Sequence, residues 1–285
     1  MRERLSWLRT ALAVAAALLL IVKIPAAYRI ITTPDITPHK SAKSATVLRV
    51  WYNESWTGGG MQWLFQQIAA FEKSNLETRV TVRRVQKDEW KIDGIVLPDV
   101  LLFEAGAMES PEEWLMRLKK SYPVRDLFQF SGSHHGLSYA VPVCYGGNVR
   151  LINENKKDGI ELVMQTEQQY QEFVAEKASA LIASVREARK LSALREAGKG
   201  FPFQAEPYGN RTDMVLYAAI FGNTGERIIN ALAFLDFLLS EQAQNKLPEA
   251  GLLPALESAA FPDPEKYPLL NGLCRQIEDA ANAFD

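Results

Sequence analysis

Residue types that do covalent chemistry are sparse in this sequence and poorly spaced for it. There is no Gly-x-Ser-x-Gly elbow, no phosphate-binding Walker loop and no His-Glu-x-x-His pair. Glu54 and Glu104 are the carboxylates with the best claim to acid–base work, but two glutamates in separate loops are not a catalytic pair. His134-His135 has no third ligand at metal spacing, so Ser131–Gly136 reads as a polar turn, and neither a metal nor a cofactor is expected. Gly58-Gly59-Gly60 stands ahead of a helix. It could aim backbone N–H groups at an anion, although a glycine run more often serves a turn. Cys144 and Cys274 are too few for a disulfide scaffold, and a single bridge and two buried free thiols are both compatible with the sequence. The expectation is a protein that binds rather than one that catalyses.

Composition agrees. With 47% hydrophobic, 10% aromatic and 23% charged residues, the chain is globular. Its 285 residues allow one large domain or two modest lobes. A net charge of −2 offers no basic excess for nucleic acid.

The N-terminus is the local exception. Ala11 to Val22 is unbroken apolar sequence preceded by Arg2, Arg4 and Arg9, the layout of an export signal. Such a helix reaches about 18 Å, short of the roughly 30 Å hydrocarbon core, and residues Lys23 to Ile31 lengthen it. Ala26 and Ala27 offer only a weak cleavage site, which favours an uncleaved signal-anchor over a cleaved peptide for residues 1–31. No cysteine follows the run, so a lipoprotein anchor is excluded. Residues 32–45, with two Thr-Pro steps, read as a tether. The rest of the chain is expected outside the cytoplasm, either membrane-anchored or secreted.

Periodicity then places the elements. Val47–Trp51 and Arg79–Arg83 read as strands, and Met61–Lys73 reads as an amphipathic helix between them. Pro98–Phe103 is a continuous apolar run, the mark of a strand buried on both faces. Strand, helix, strand and strand in this order predict a parallel sheet with crossovers. Ser110-Pro111-Glu112-Glu113 predicts a capped helix start. Tyr139–Val143 and Val149–Ile152 are further strands. Helices are expected over Glu167–Ala183, Val185–Ala197, Glu226–Leu239, Glu241–Leu247 and Pro268–Ala283, with Phe201–Tyr208 extended between the second and third of these.

Read in order, four segments resemble the extracellular solute-binding proteins of ABC importers, the sugar-binding-type family 1. They are Leu48–Trp51 through Leu97-Pro98-Asp99-Val100; Leu137–Val143 with Gly146-Gly147-Asn148 and Leu151-Ile152-Asn153; Lys177–Ile182; and Ala231–Gln244 with Gly251-Leu252-Leu253-Pro254. The resemblance spans most of residues 46–256. It implies an α/β, two-lobed periplasmic-binding-protein-like fold. Lobe 1 would be residues 46–148, lobe 2 with the crossing segments 149–256, and 257–285 a C-terminal helix packed on both. Only Glu154 to Glu176 separates the crossing segment from the re-entry into lobe 2, so a reduced second lobe is expected.

The function implied is delivery of a small, carbohydrate-like solute to an ABC permease by a monomer held to the membrane through its N-terminus. A sensor or interaction module without a transport role is the alternative. Open parallel sheets bind at the carboxyl ends of their strands. On that rule the ligand contacts expected are Tyr52, Asn53, Glu54 and Trp56 after the first strand, Glu104 after the third, Tyr145 and Asn148 at the crossing, and Tyr208. Aromatic faces there would stack on sugar rings while Asn and Glu met hydroxyls.

Overall fold

The computed structural model describes residues 45–53, 62–156, 158–222 and 225–284. The expected signal segment and tether, Glu54, Trp56 and the Gly58–Gly60 run lie outside these residues.

Strand β1 (Thr46–Asn53), helix α1 (Gln62–Ser74), strand β2 (Thr78–Arg84) and strand β3 (Val100–Glu104) follow the predicted order. β1 pairs in parallel with both β2 and β3. α1 turns Trp63, Leu64, Gln67, Ile68 and Phe71 inward, while Phe65, which the helical spacing also placed on the apolar face, is exposed. The first four residues of β3 are all buried, because the sheet is covered on both faces there.

Next comes α2 (Pro111–Trp114), a single turn. The expected cap is missing, since Ser110 makes no side-chain hydrogen bond to it and Leu115 is already extended, bridging to Phe221. β4 (Ser133–His134) and β5 (Leu137–Ser138) form a hairpin. His135 (φ 50°) and Gly136 (φ 74°) take left-handed conformations at its tip. A two-residue hairpin loop needs this, and the polar turn expected there is present.

β6 (Ala140–Tyr145) leads through Gly146-Gly147 into β7 (Asn148–Asn153), followed by β8 (Glu161–Val163), α3 (Glu167–Val174), β9 (Ala180–Ser184), α4 (Val185–Glu196) and β10 (Phe203–Tyr208). The chain continues through β11 (Arg211–Thr212), β12 (Val215–Ile220), α5 (Ile228–Leu238), α6 (Glu241–Gln244), β13 (Leu253–Pro254), α7 (Pro268–Gln276) and β14 (Asp279–Ala280).

Two main sheets result. The first has six strands in the order β13-β6-β12-β3-β1-β2, and the second has four in the order β10-β7-β9-β8. The first sheet is mixed rather than parallel throughout. β12 inserts antiparallel between β3 and β6, and β13 adds antiparallel to β6. The span 149–256, assigned to lobe 2 by resemblance, is thus shared: Val215–Ile220 and Leu253–Pro254 belong to the first sheet.

One face of the first sheet carries Leu48, Val50, Leu102, Val143 and Leu216 against Phe71 of α1 and Phe234 of α5. These two rings meet edge to face at 5.1 Å. The opposite face, with Leu101, Phe103, Tyr145 and Tyr217, joins Phe128 and Phe284 and runs on into the core of the second sheet around Leu151, Phe173 and Leu181. Burial of these apolar faces supplies the main driving force for the fold.

Three predicted helices are shorter than expected, and the one expected over Glu241–Leu247 ends at Gln244. Glu167–Ala183 ends as helix at Val174, and Glu176 turns the chain with φ 56°. Ala180–Ser184 is instead the strand β9, paired with both β7 and β8. The last helix stops at Gln276, and Asp279–Ala280 pairs with β11.

Cys144 and Cys274 are free thiols, both buried. They point into different cores on opposite faces of the first sheet, so the bridge the sequence allowed does not form.

Candidate functional site

The carboxyl ends of β1, β2 and β3 lie side by side because the three strands are parallel neighbours. A cavity of about 660 Å³ opens there. Asn53 and Glu104 line it from the ends of β1 and β3, and Arg83, Arg84, Gln86 and Lys87 line it from the end of β2 and the loop beyond.

That loop is held in place. Val85 N donates to Tyr52 O at 3.0 Å, and the Asn53 side-chain amide donates to Val85 O at 3.0 Å. Glu89, which also lines the cavity, grips the loop: one carboxylate oxygen takes Arg83 and the other accepts from Gln86 N at 3.0 Å. The Arg83 guanidinium lies over the Trp51 ring, 5.0 Å from its centroid. The Lys87 ammonium donates to Gly106 O at 3.0 Å, tying the loop after β2 to the turn after β3.

Asn53 is the unusual group. Its side chain is 7% exposed, and its Oδ1 has no hydrogen-bond partner among the described residues. A buried acceptor without a donor costs about 1–3 kcal/mol. A bound molecule offering a hydroxyl or N–H would relieve that cost.

The other predicted contacts separate into groups. Tyr52 is half-buried and packs toward the α1 side of the sheet, away from Asn53. Tyr145 is fully buried. Its hydroxyl meets the Cys274 sulfur at 3.3 Å and its ring meets Phe128 edge to face at 5.2 Å, so it is a core residue instead of a surface contact. Burial raises the ionisation point of both the Tyr145 phenol and the Cys274 thiol. Asn148 and Tyr208 face each other as the last register pair between β7 and β10, at the end of the second sheet where the chain crosses. Ser184 pairs with Asn148 from the other side. Tyr208 is 44% exposed and free to present its ring. The structure therefore brings Asn53 together with Glu104, and Asn148 together with Tyr208.

Arg83, Arg84, Gln86 and Lys87 were not expected. The strand-end rule, applied to β2 as it was to β1 and β3, would have found them. Among the described residues no cluster of His, Cys, Asp or Glu could hold a metal.

The crossing itself is built tightly. Gly146 N donates to Met214 O at 2.8 Å, and the buried Thr212 hydroxyl donates to Gly146 O at 2.9 Å. Gly147 has no room for a side chain, as a Cβ would sit 2.7 Å from Ile277 Cδ1. Chain around residues 146 and 212 thus runs between the two sheets, and β14 pairs with the second of these passages. α4 adds a further tie: Arg189 donates to the carbonyls of Ala250 and Glu249.

No protein-family model matches the sequence, and no curated protein matches it. Solved structures do. A cyclo/maltodextrin-binding protein complexed with maltotetraose aligns with TM-score 0.63 at 12% identity, over 85% of this chain and 88% of that one. An ABC substrate-binding protein from Listeria monocytogenes in complex with cycloalternan aligns at 0.59 and 12%, over 83% and 88%. Iron-bound HitA from Pseudomonas aeruginosa aligns at 0.56 and 14%, over 79% and 92%. Their different ligands make the likeness one of architecture, since sites are grafted on folds. The chain has the α/β, two-lobed periplasmic-binding-protein-like fold.

Proposed function

We propose that this protein is an extracytoplasmic solute-binding protein that delivers a small, carbohydrate-like solute to an ABC importer. The observation that carries the reading is the cavity at the ends of β1–β3, where the buried Asn53 Oδ1 has no donor among the described residues. The fold supports it, and so do the similar structures, among them one complexed with maltotetraose and one bound to maltotriose. On this reading Asn53 and Glu104 contact the solute from lobe 1, with Asn148 and Tyr208 contributing from lobe 2. The chain acts as a monomer without catalysis of its own. Residues 1–31 hold it to the membrane or are removed on export, and 32–45 tether the binding body.

Thermal-shift and calorimetric screening of the purified protein against saccharides tests the proposal. A saccharide should raise the melting temperature, and Asn53→Ala should weaken its binding by about tenfold, the loss of one buried hydrogen bond. A well-folded protein that no saccharide stabilises would sink the reading.

A further inference from the structure

The described walls of the cavity are charged rather than aromatic: Arg83, Arg84 and Lys87 line it together with Glu89 and Glu104, leaving the cations in excess by one. Glu89 is fully occupied by Arg83 and Gln86 N. Lys87 contacts only a neutral carbonyl, Gly106 O, and no carboxylate among the described residues lies within ion-pair distance of it. An ammonium carries three donors, so Lys87 keeps two for a visitor. The aromatic face that a neutral sugar would use is already covered: Arg83 lies over Trp51, which is 3% exposed. Arg83 is held by that ring below and by Glu89 at its side, a preorganised cation instead of a freely swinging one. Beside these donors stand two acceptors, the Glu104 carboxylate and Asn53 Oδ1, the latter without a donor among the described residues. A matching molecule offers negative oxygens to the cations and hydroxyls to Asn53 and Glu104.

We propose that the solute is an anionic saccharide, whose carboxylate or phosphate group faces Lys87 and Arg83 and whose hydroxyl donates to Asn53. The proposal rests on the solute-binding reading above and narrows it to a substrate class. Uronates and phosphorylated sugars share the required chemistry. Neutral maltodextrin-type ligands lack the charge that Lys87 calls for.

Calorimetry on the full chain with three probes tests this: digalacturonate, maltotriose as a neutral saccharide, and inorganic phosphate. Digalacturonate is expected to bind at least about tenfold more tightly than maltotriose, and Lys87→Gln to remove about that factor. Raising ionic strength to about 0.5 M should weaken the acidic ligand and leave maltotriose unchanged. Maltotriose binding as tightly as the acidic probes, or an acidic ligand indifferent to Lys87→Gln, overturns the anionic assignment and leaves the solute-binding reading standing. Phosphate binding without any saccharide overturns the saccharide while keeping the anion site. Silence from all three probes, in a folded protein, overturns both.

Discussion

Gln244 shows how much one buried polar side chain can hold. Its amide donates to Val143 O and Leu238 O, both at 2.9 Å, and its carbonyl accepts from Ala255 N at 3.0 Å and Leu256 N at 3.2 Å. It thereby joins β6, the end of α5 and the segment after β13. Gln244→Leu would keep the volume and strand four backbone groups. We expect a loss of at least about 3 kcal/mol of stability, measurable by urea unfolding. Cys274 gives a second test at this scale. Burial holds its thiol protonated, and Cys144 is buried outright, so both should be inert. A thiol reagent should titrate neither cysteine in the native protein and two after denaturation. A disulfide would leave none in either state.

At the scale of elements, Gly251 is where geometry and packing coincide. It takes φ 76°, and a Cβ there would fall 2.4 Å from the Arg189 guanidinium nitrogen. Gly251→Ala should therefore cost about 1–2 kcal/mol in backbone strain, with a further loss from dislodging Arg189. In an Arg189→Ala background only the strain should remain, so a double-mutant cycle by thermal unfolding separates the two.

Elements with a clean period, β1, α1 and β2, and the continuous apolar run of β3 were legible in the sequence and fall within a few residues of their predicted bounds. β9 was not, because Lys177–Ile182 is rich in good helix formers and only its pairing with β7 and β8 makes it a strand. β12 was missed although Val215–Ile220 is the same kind of continuous apolar run as β3; it is buried at all six positions, and periodicity does not separate such a run from a buried helical segment. The candidate site was half legible. Asn53 and Glu104 followed from the strand-end rule, while Tyr145 obeyed the same rule and still turned inward, because its face of β6 looks into the core shared by both sheets. The cations of the cavity escaped notice as ordinary surface charge on an edge strand.

For the molecule as a whole, the sequence signalled two lobes in succession, and the chain departs from that order. β12 lies between β3 and β6, pairing with Leu101 and Phe103 on one side and Val141 and Cys144 on the other. Yet it is made only after β7 to β10, the entire second sheet, has been synthesised. During synthesis the first lobe therefore cannot mature before the second. Until Ile220 leaves the ribosome, β3 and β6 present two apolar edges with nothing between them, the kind of surface that nucleates misassembly. The interrupted sheet sets a clock on this protein's birth: a chain of about 200 residues is still unfinished in its first half, and must be kept from its neighbours until the missing strand arrives.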